Sequence, residues 1–325
     1  MADALGRAWH KLCHRDMGPA KRLLGPEVAP PQIWQDPVPA VDVATIPTAE
    51  QVQELKASIS SAGVRVRNLA RTKASASIFC RIYFRGGANG ARVRLAPQKD
   101  WAVNDPSSLG PDFAAYEKIQ ADFNAAHTQQ VSMADIIVLG GCVGVEIAAK
   151  SAGFTVEVPF TAGRGDATTE ETDASSFAVL EPESDAFRNY KANPWQLVDK
   201  AHMLNLTAPE MTALVGGLRV LNVNVTNDLV GVLTENTDTL SNDFFVNLTD
   251  MQYEWVKTDD PMVFKSVDRT SREDGRYQAS LVDLTFGSNF ELRAIVEHYG
   301  CDDAKEEFAS DFAKAFSKVM HNDMF

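Results

Sequence analysis

The sequence predicts a mainly α fold, a multi-helix chain carrying one small β-hairpin. Three observations predict it: apolar residues recur at helical spacing in segment after segment, capping signatures stand at the starts of three segments, and a hairpin turn signal falls between Val263 and Leu284.

Taken in order, residues 3–15 read as the end of a helix, with Leu5, Ala8, Trp9 and Leu12 on one face. From Pro19 to Pro47 the chain carries seven of its fifteen prolines. Proline removes a backbone donor and disfavours helix before it, so this stretch is an extended connector. Thr48-Ala-Glu-Gln51 is a capping-box start, followed by Val52, Leu55 and Ile59. Phe113, Tyr116, Ile119 and Phe123 make the next stripe, Ser132-Met-Ala-Asp135 caps a further helix, and Thr207-Ala-Pro-Glu210 caps one running through Leu214. Glu273-Asp-Gly-Arg276 is the expected hairpin turn, and Phe308, Phe312, Phe316 and Val319 stripe the last helix. The expected organisation is a tail helix at 1–18, a Pro-rich linker at 19–47 and a main domain at 48–325.

Composition narrows the function. An apolar share of 45% is enough for a folded core, which sets disorder aside. The formal net charge of −13 repels phosphates and anionic lipid heads, so neither nucleic acid nor membrane is an expected partner. No 18-residue apolar run occurs. Cys13, Cys80, Cys142 and Cys301 are far apart and form no zinc-type cluster, so they read as reduced, mostly buried thiols. The expected location is cytoplasmic; any leader of a longer parent would precede the residues seen here.

An internal repeat stands out. Residues 4–17 lie without gaps on residues 311–324, with Ala8/Ala315, Lys11/Lys318, His14/His321, Asp16/Asp323 and Met17/Met324 identical. Helical periodicity explains the apolar matches but not the shared His-x-Asp-Met ending. The offset of 307 residues is about one domain, so residues 1–17 read as the tail of a preceding copy.

Val131-Ser-Met-Ala-Asp-Ile-Ile-Val-Leu139, Gly163-Arg-Gly-Asp166, Leu206–Leu214 and Asn242-Asp-Phe-Phe245 resemble, in order, motifs of the plant, fungal and bacterial haem-peroxidase superfamily. His14–Pro19, Ile33-Trp-Gln-Asp-Pro37, Arg85-Gly-Gly-Ala-Asn-Gly-Ala-Arg92 and Leu95–Trp101 are more specifically similar to the catalase-peroxidases, duplicated chains of two peroxidase-like halves. The resemblance runs to the second half over essentially all 325 residues. It implies a haem-peroxidase-like fold in two subdomains.

A working haem site needs a proximal histidine on iron, a carboxylate orienting it, and a distal histidine with an arginine. Aligned on Arg85-Gly86-Gly87, the family's distal arginine, tryptophan and histidine positions hold Ala70, Lys73 and Ala74. A one-residue slip would bring in Arg71, but residues 64–85 contain no histidine in any register. The proximal ligand position is Leu218 or Arg219, depending on register, and neither an alkyl group nor a protonated guanidinium binds ferric iron. Asp283 matches the carboxylate but is expected to have nothing to orient. The resemblance therefore implies a half with no catalytic residues, no metal and no cofactor. Haem b, peroxide decomposition and donor oxidation belong to the N-terminal half of the same polypeptide, and the parent is expected to be a homodimer. The rival expectation is a competent haem peroxidase with an unrecognised ligand.

Other readings fall lower. Ile136–Ala149 could pass for a dinucleotide-binding strand, loop and helix, but the fingerprint needs glycines where Cys142 and Val145 stand. Arg85–Gly90 lacks the Gly-Lys-Ser/Thr ending of a phosphate loop, and turn chemistry accounts for its glycines. His10 and His14 could share a metal, yet lack a third ligand; His14 more simply caps its helix. The apolar stretch Cys80–Phe84 reads as a contact surface for the absent half.

Overall fold

Five of the longer helices begin at a side-chain cap, at Thr48, Ser132, Thr207, Ser280 and Asn289. The computed structural model describes residues 1–15, 17, 20, 23–70, 86–225 and 229–324. Lys73, Ala74 and the Cys80–Phe84 stretch lie outside them. The longer helices are α1 (Ala2–His14), α2 (Ala49–Ser61), α3 (Pro106–Ala126), α4 (Met133–Ser151), α5 (Trp195–Met203), α6 (Ala208–Val220), α7 (Asp243–Leu248), α8 (Leu281–Ser288), α9 (Phe290–Tyr299) and α10 (Lys305–His321). Thr48 and Gln51 close a reciprocal capping box on α2, as Thr207 and Glu210 do on α6. On α4 Ser132 caps the helix as expected, accepting from the Asp135 N–H, while the Asp135 carboxylate is engaged elsewhere.

The chain from Ile136 to Ala149 is one continuous, largely buried helix, so its glycines serve packing rather than a nucleotide. A Cβ on Gly140 would fall 2.6 Å from the Tyr116 hydroxyl, and one on Gly144 2.8 Å from Leu69. The principal core runs without a break from Leu55 and Ile59 of α2 through α4 and α6 to Phe308, Phe312, Phe316 and Val319 of α10. Each fully buried phenylalanine contributes on the order of 1.5–3 kcal/mol of transfer free energy, and α10 supplies three.

The expected hairpin is part of a three-stranded antiparallel sheet, β1 (Tyr253–Lys257), β2 (Val263–Asp268) and β3 (Asp274–Ser280) in that order. Its β2–β3 turn also falls earlier than predicted. The Asp268 carboxylate accepts from the N–H groups of Thr270 and Ser271 and turns the chain there, which leaves Asp274–Arg276 inside β3. A second correction concerns the thiols: of the three described, Cys142 is buried, but Cys13 and Cys301 are exposed. Cys13 is exposed because α1 buries none of its residues. Among the described residues no helix is long and apolar enough to cross a membrane.

Candidate functional site

Four elements converge on Asp283. It stands one turn into α8, where Ser280 caps the helix and both the Ser280 N–H and its Oγ donate to Asp283 Oδ2 at 2.8 Å. The other oxygen, Oδ1, accepts from Arg219 Nε at 2.7 Å. Arg219 ends α6, and its remaining nitrogens donate to the carbonyls of Phe187 (2.6 Å) and Ala186 (3.2 Å). Asn189, held at positive φ, donates to Asp283 Oδ2 at 3.3 Å and to the Val230 carbonyl at 2.7 Å. Gly231 closes the site from the side, since a Cβ there would lie 2.4 Å from Asp283 Oδ2 and 2.9 Å from Arg219 Nε. Arg219, Leu218 and Asp283 are all fully buried.

The structure brings together Arg219 and Asp283, leaves Leu218 in the apolar core, and corrects one expectation: Asp283 does have a group to hold, the Arg219 guanidinium. A buried carboxylate demands a compensating charge or several donors, and Arg219 supplies the charge while Ser280 and Asn189 supply the rest. Each nitrogen of the Arg219 guanidinium donates, one to that carboxylate and two to carbonyls. These residues do not suit iron: the guanidinium has no lone pair to give, and the Leu218 side chain is hydrocarbon. Ala70, also fully buried, packs on the α4 face beside Gly144.

The close fit of α6 is sterically enforced. A Cβ on Gly216 would fall 2.4 Å from the Phe245 ring, and one on Gly217 2.1 Å from Phe312 of α10. The glycines that precede Arg219 therefore let α10 and α7 press against α6.

Sequence reasoning missed a second buried network. Asp135 Oδ1 accepts from Arg164 Nη1 at 2.9 Å, and its Oδ2 accepts from the Gly163 N–H at 2.7 Å. Burial pushes the Asp135 carboxyl up from its ordinary value against the opposing pull of Arg164 and these N–H donors. Arg164 also donates to the Met320 carbonyl and pairs with Asp323 at 3.3 Å, and Asp323 accepts from the Ala88 N–H at 2.7 Å. Asp166 returns the favour by accepting from the N–H groups of Met133 and Ala134 at the start of α4. The two motifs 131–139 and 163–166 are thus knitted to each other and to the C-terminal His-x-Asp-Met. The signal available beforehand was that each motif carries an uncompensated Asp or Arg. His14 Nδ1 lies 3.0 Å from the His10 carbonyl, a helix-capping contact, and no metal-binding group of three or more ligands occurs among the described residues.

A family model described as peroxidase matches residues 7–302. The chain belongs to the peroxidase family. All of it is similar to catalase-peroxidases: 53% identical over 335 residues to that of Marinomonas sp. (strain MWYL1), 53% to that of Trichlorobacter lovleyi, and 52% over 337 residues to that of Gloeobacter violaceus. The chain covers 45%, 45% and 46% of those relatives, so it spans about half their length. The mainly α architecture with one small sheet agrees with the fold expected of a peroxidase-like domain.

Proposed function

We propose that this chain is the haem-free C-terminal half of a catalase-peroxidase and turns over nothing by itself. The observation that carries the reading is the buried Arg219–Asp283 pair, since the resemblance puts the iron-bound imidazole at Leu218 or Arg219 and its carboxylate partner at Asp283. On this reading hydrogen peroxide decomposition and one-electron donor oxidation take place at haem b in the N-terminal half of the same cytoplasmic polypeptide. This half is a scaffold that keeps that active site in shape and supports the homodimer.

Residues 1–18 are, on the same reading, the closing helix of the preceding half. The support is a contrast in burial: Leu5, Trp9 and Leu12 of α1 are 67%, 65% and 71% exposed, while their counterparts Phe312, Phe316 and Val319 of α10 are fully buried. Residues 48–325 form the second half, and 19–47 join the two. The test is to titrate the chain with hemin and to mix it with a separately made first half. The expected results are no Soret band shifted by cyanide, and restored peroxide turnover in the mixture. A ligated haem spectrum with turnover by the chain alone overturns the reading.

A further inference from the structure

The Pro-rich connector is not a loose tether. Trp34, Gln35 and Asp36 are buried, and the strap they begin is fastened at 36–39 and again at 45–46. Arg92, with no exposed surface, donates through Nη2 to the Pro37 carbonyl at 2.5 Å and through Nη1 to the Asp36 carbonyl at 3.4 Å. The same guanidinium donates to the Glu171 carbonyl at 3.0 Å, Thr172 Oγ1 at 3.3 Å and Asn89 Oδ1 at 3.2 Å. One side chain therefore ties the strap to two separate loops of the main domain. Further along, a Cβ on Gly165 would lie 2.4 Å from the Pro39 carbonyl, one on Gly90 3.1 Å from Val38, and one on Gly163 2.9 Å from Ile46. The Thr45 carbonyl accepts from the Gln130 N–H at 2.8 Å. At the other end the Trp34 ring meets the His10 ring of α1 edge-on, 5.6 Å between centroids.

We propose that residues 33–47 of the connector are a strap clamped onto the surface of this domain, and that Arg92 is the positioning residue that fixes where the preceding chain leaves that surface. A guanidinium suits the task because its planar fork can satisfy several carbonyls at once, which a lysine ammonium at one point cannot. Pro37 and Pro39 suit the strap because each lacks the N–H that would otherwise need a partner where the chain lies against the surface. What the strap positions rests on the reading of α1 as the end of a preceding half, but the clamp does not.

Hydrogen exchange followed by mass spectrometry on the whole chain tests the clamp, comparing the wild type with Arg92→Ala and Gly165→Ala. The substitutions act independently, one removing the donors and the other pushing a methyl group into the Pro39 carbonyl. In the wild type, peptides covering 33–47 are expected to exchange at least about tenfold more slowly than the same segment in urea, and each variant to lose about tenfold of that protection. Peptides from α4 and α10 serve as the control for folding; where Arg92→Ala loses protection there too, Gly165→Ala decides. Unprotected exchange of 33–47 in the wild type, or protection unchanged in both variants, overturns the clamp. Because the measurement reads the strap and not α1, it can fail while the origin of α1 stands, and the reverse.

Discussion

Arg219 Nε donates to Asp283 Oδ1 at 2.7 Å with both side chains wholly buried. Removing one member of such a pair strands the other charge. Arg219→Met is therefore expected to destabilise the chain by about 3–5 kcal/mol, whereas the double variant Arg219→Met/Asp283→Leu recovers much of the loss. Urea denaturation of the two single variants and the double variant measures this directly. A near-neutral Arg219→Met would show that the pair does not hold α6 to α8.

A Cβ on Gly217 would lie 2.1 Å from the Phe312 ring, closer than any Cβ tolerates. Gly217→Ala is expected to cost about 1–3 kcal/mol by overpacking, despite the better helix propensity of alanine. A companion Phe312→Leu substitution should relieve part of that cost, and thermal unfolding of the three proteins checks both statements.

Glu210 caps α6 and also receives Lys318 of α10 at 2.8 Å. Burial alone would raise its pKa, but the hydrogen bonds from Lys318 and from Thr207 outweigh it and hold the carboxyl below its ordinary value of 4.5. A depressed folded-state pKa gives stability that is present above the unfolded value and lost as pH falls through the folded one. Wild type should therefore lose more stability than Glu210→Gln as pH drops below about 4.5, by less than about 1 kcal/mol since the pair is partly exposed. Urea midpoints of both proteins across pH 3–6 settle the sign.

Trp9 and Leu12 lie open on α1, while Phe316 and Val319 are enclosed on α10. The paired change Trp9→Gln/Leu12→Gln should leave the stability of this chain within about 0.5 kcal/mol of wild type. Phe316→Ala should cost about 3–5 kcal/mol. In a longer polypeptide that includes the preceding half, the α1 change is expected to lower the stability of that half. No effect there, by calorimetry, would separate α1 from it.

Much of the fold was legible because helices are local objects. The capping boxes at Thr48 and Thr207 need only four consecutive residues, and both formed. The stripe Phe308, Phe312, Phe316, Val319 needs only a 3.6-residue period, and all four are buried. The cap at Ser132 also formed, while a distant group, Arg164, takes the Asp135 carboxylate. The hairpin turn was misplaced because Asp268 captured two N–H groups before the glycine was reached. The first strand, Tyr253–Lys257, was missed because its partner lies across a loop and its propensity signal is short.

By itself the sequence determined which residue types stand at the degenerate positions, Leu218, Arg219 and Asp283, and that none of the three is an imidazole. Only the tertiary structure decided what those residues do. Asp283 and Arg219 are separated by the short helix α7, a sheet and several loops, and no periodicity relates them. Their pairing follows from α6 and α8 being packed so that two buried charges must compensate each other, a condition set by desolvation and absent from the chain until it folds.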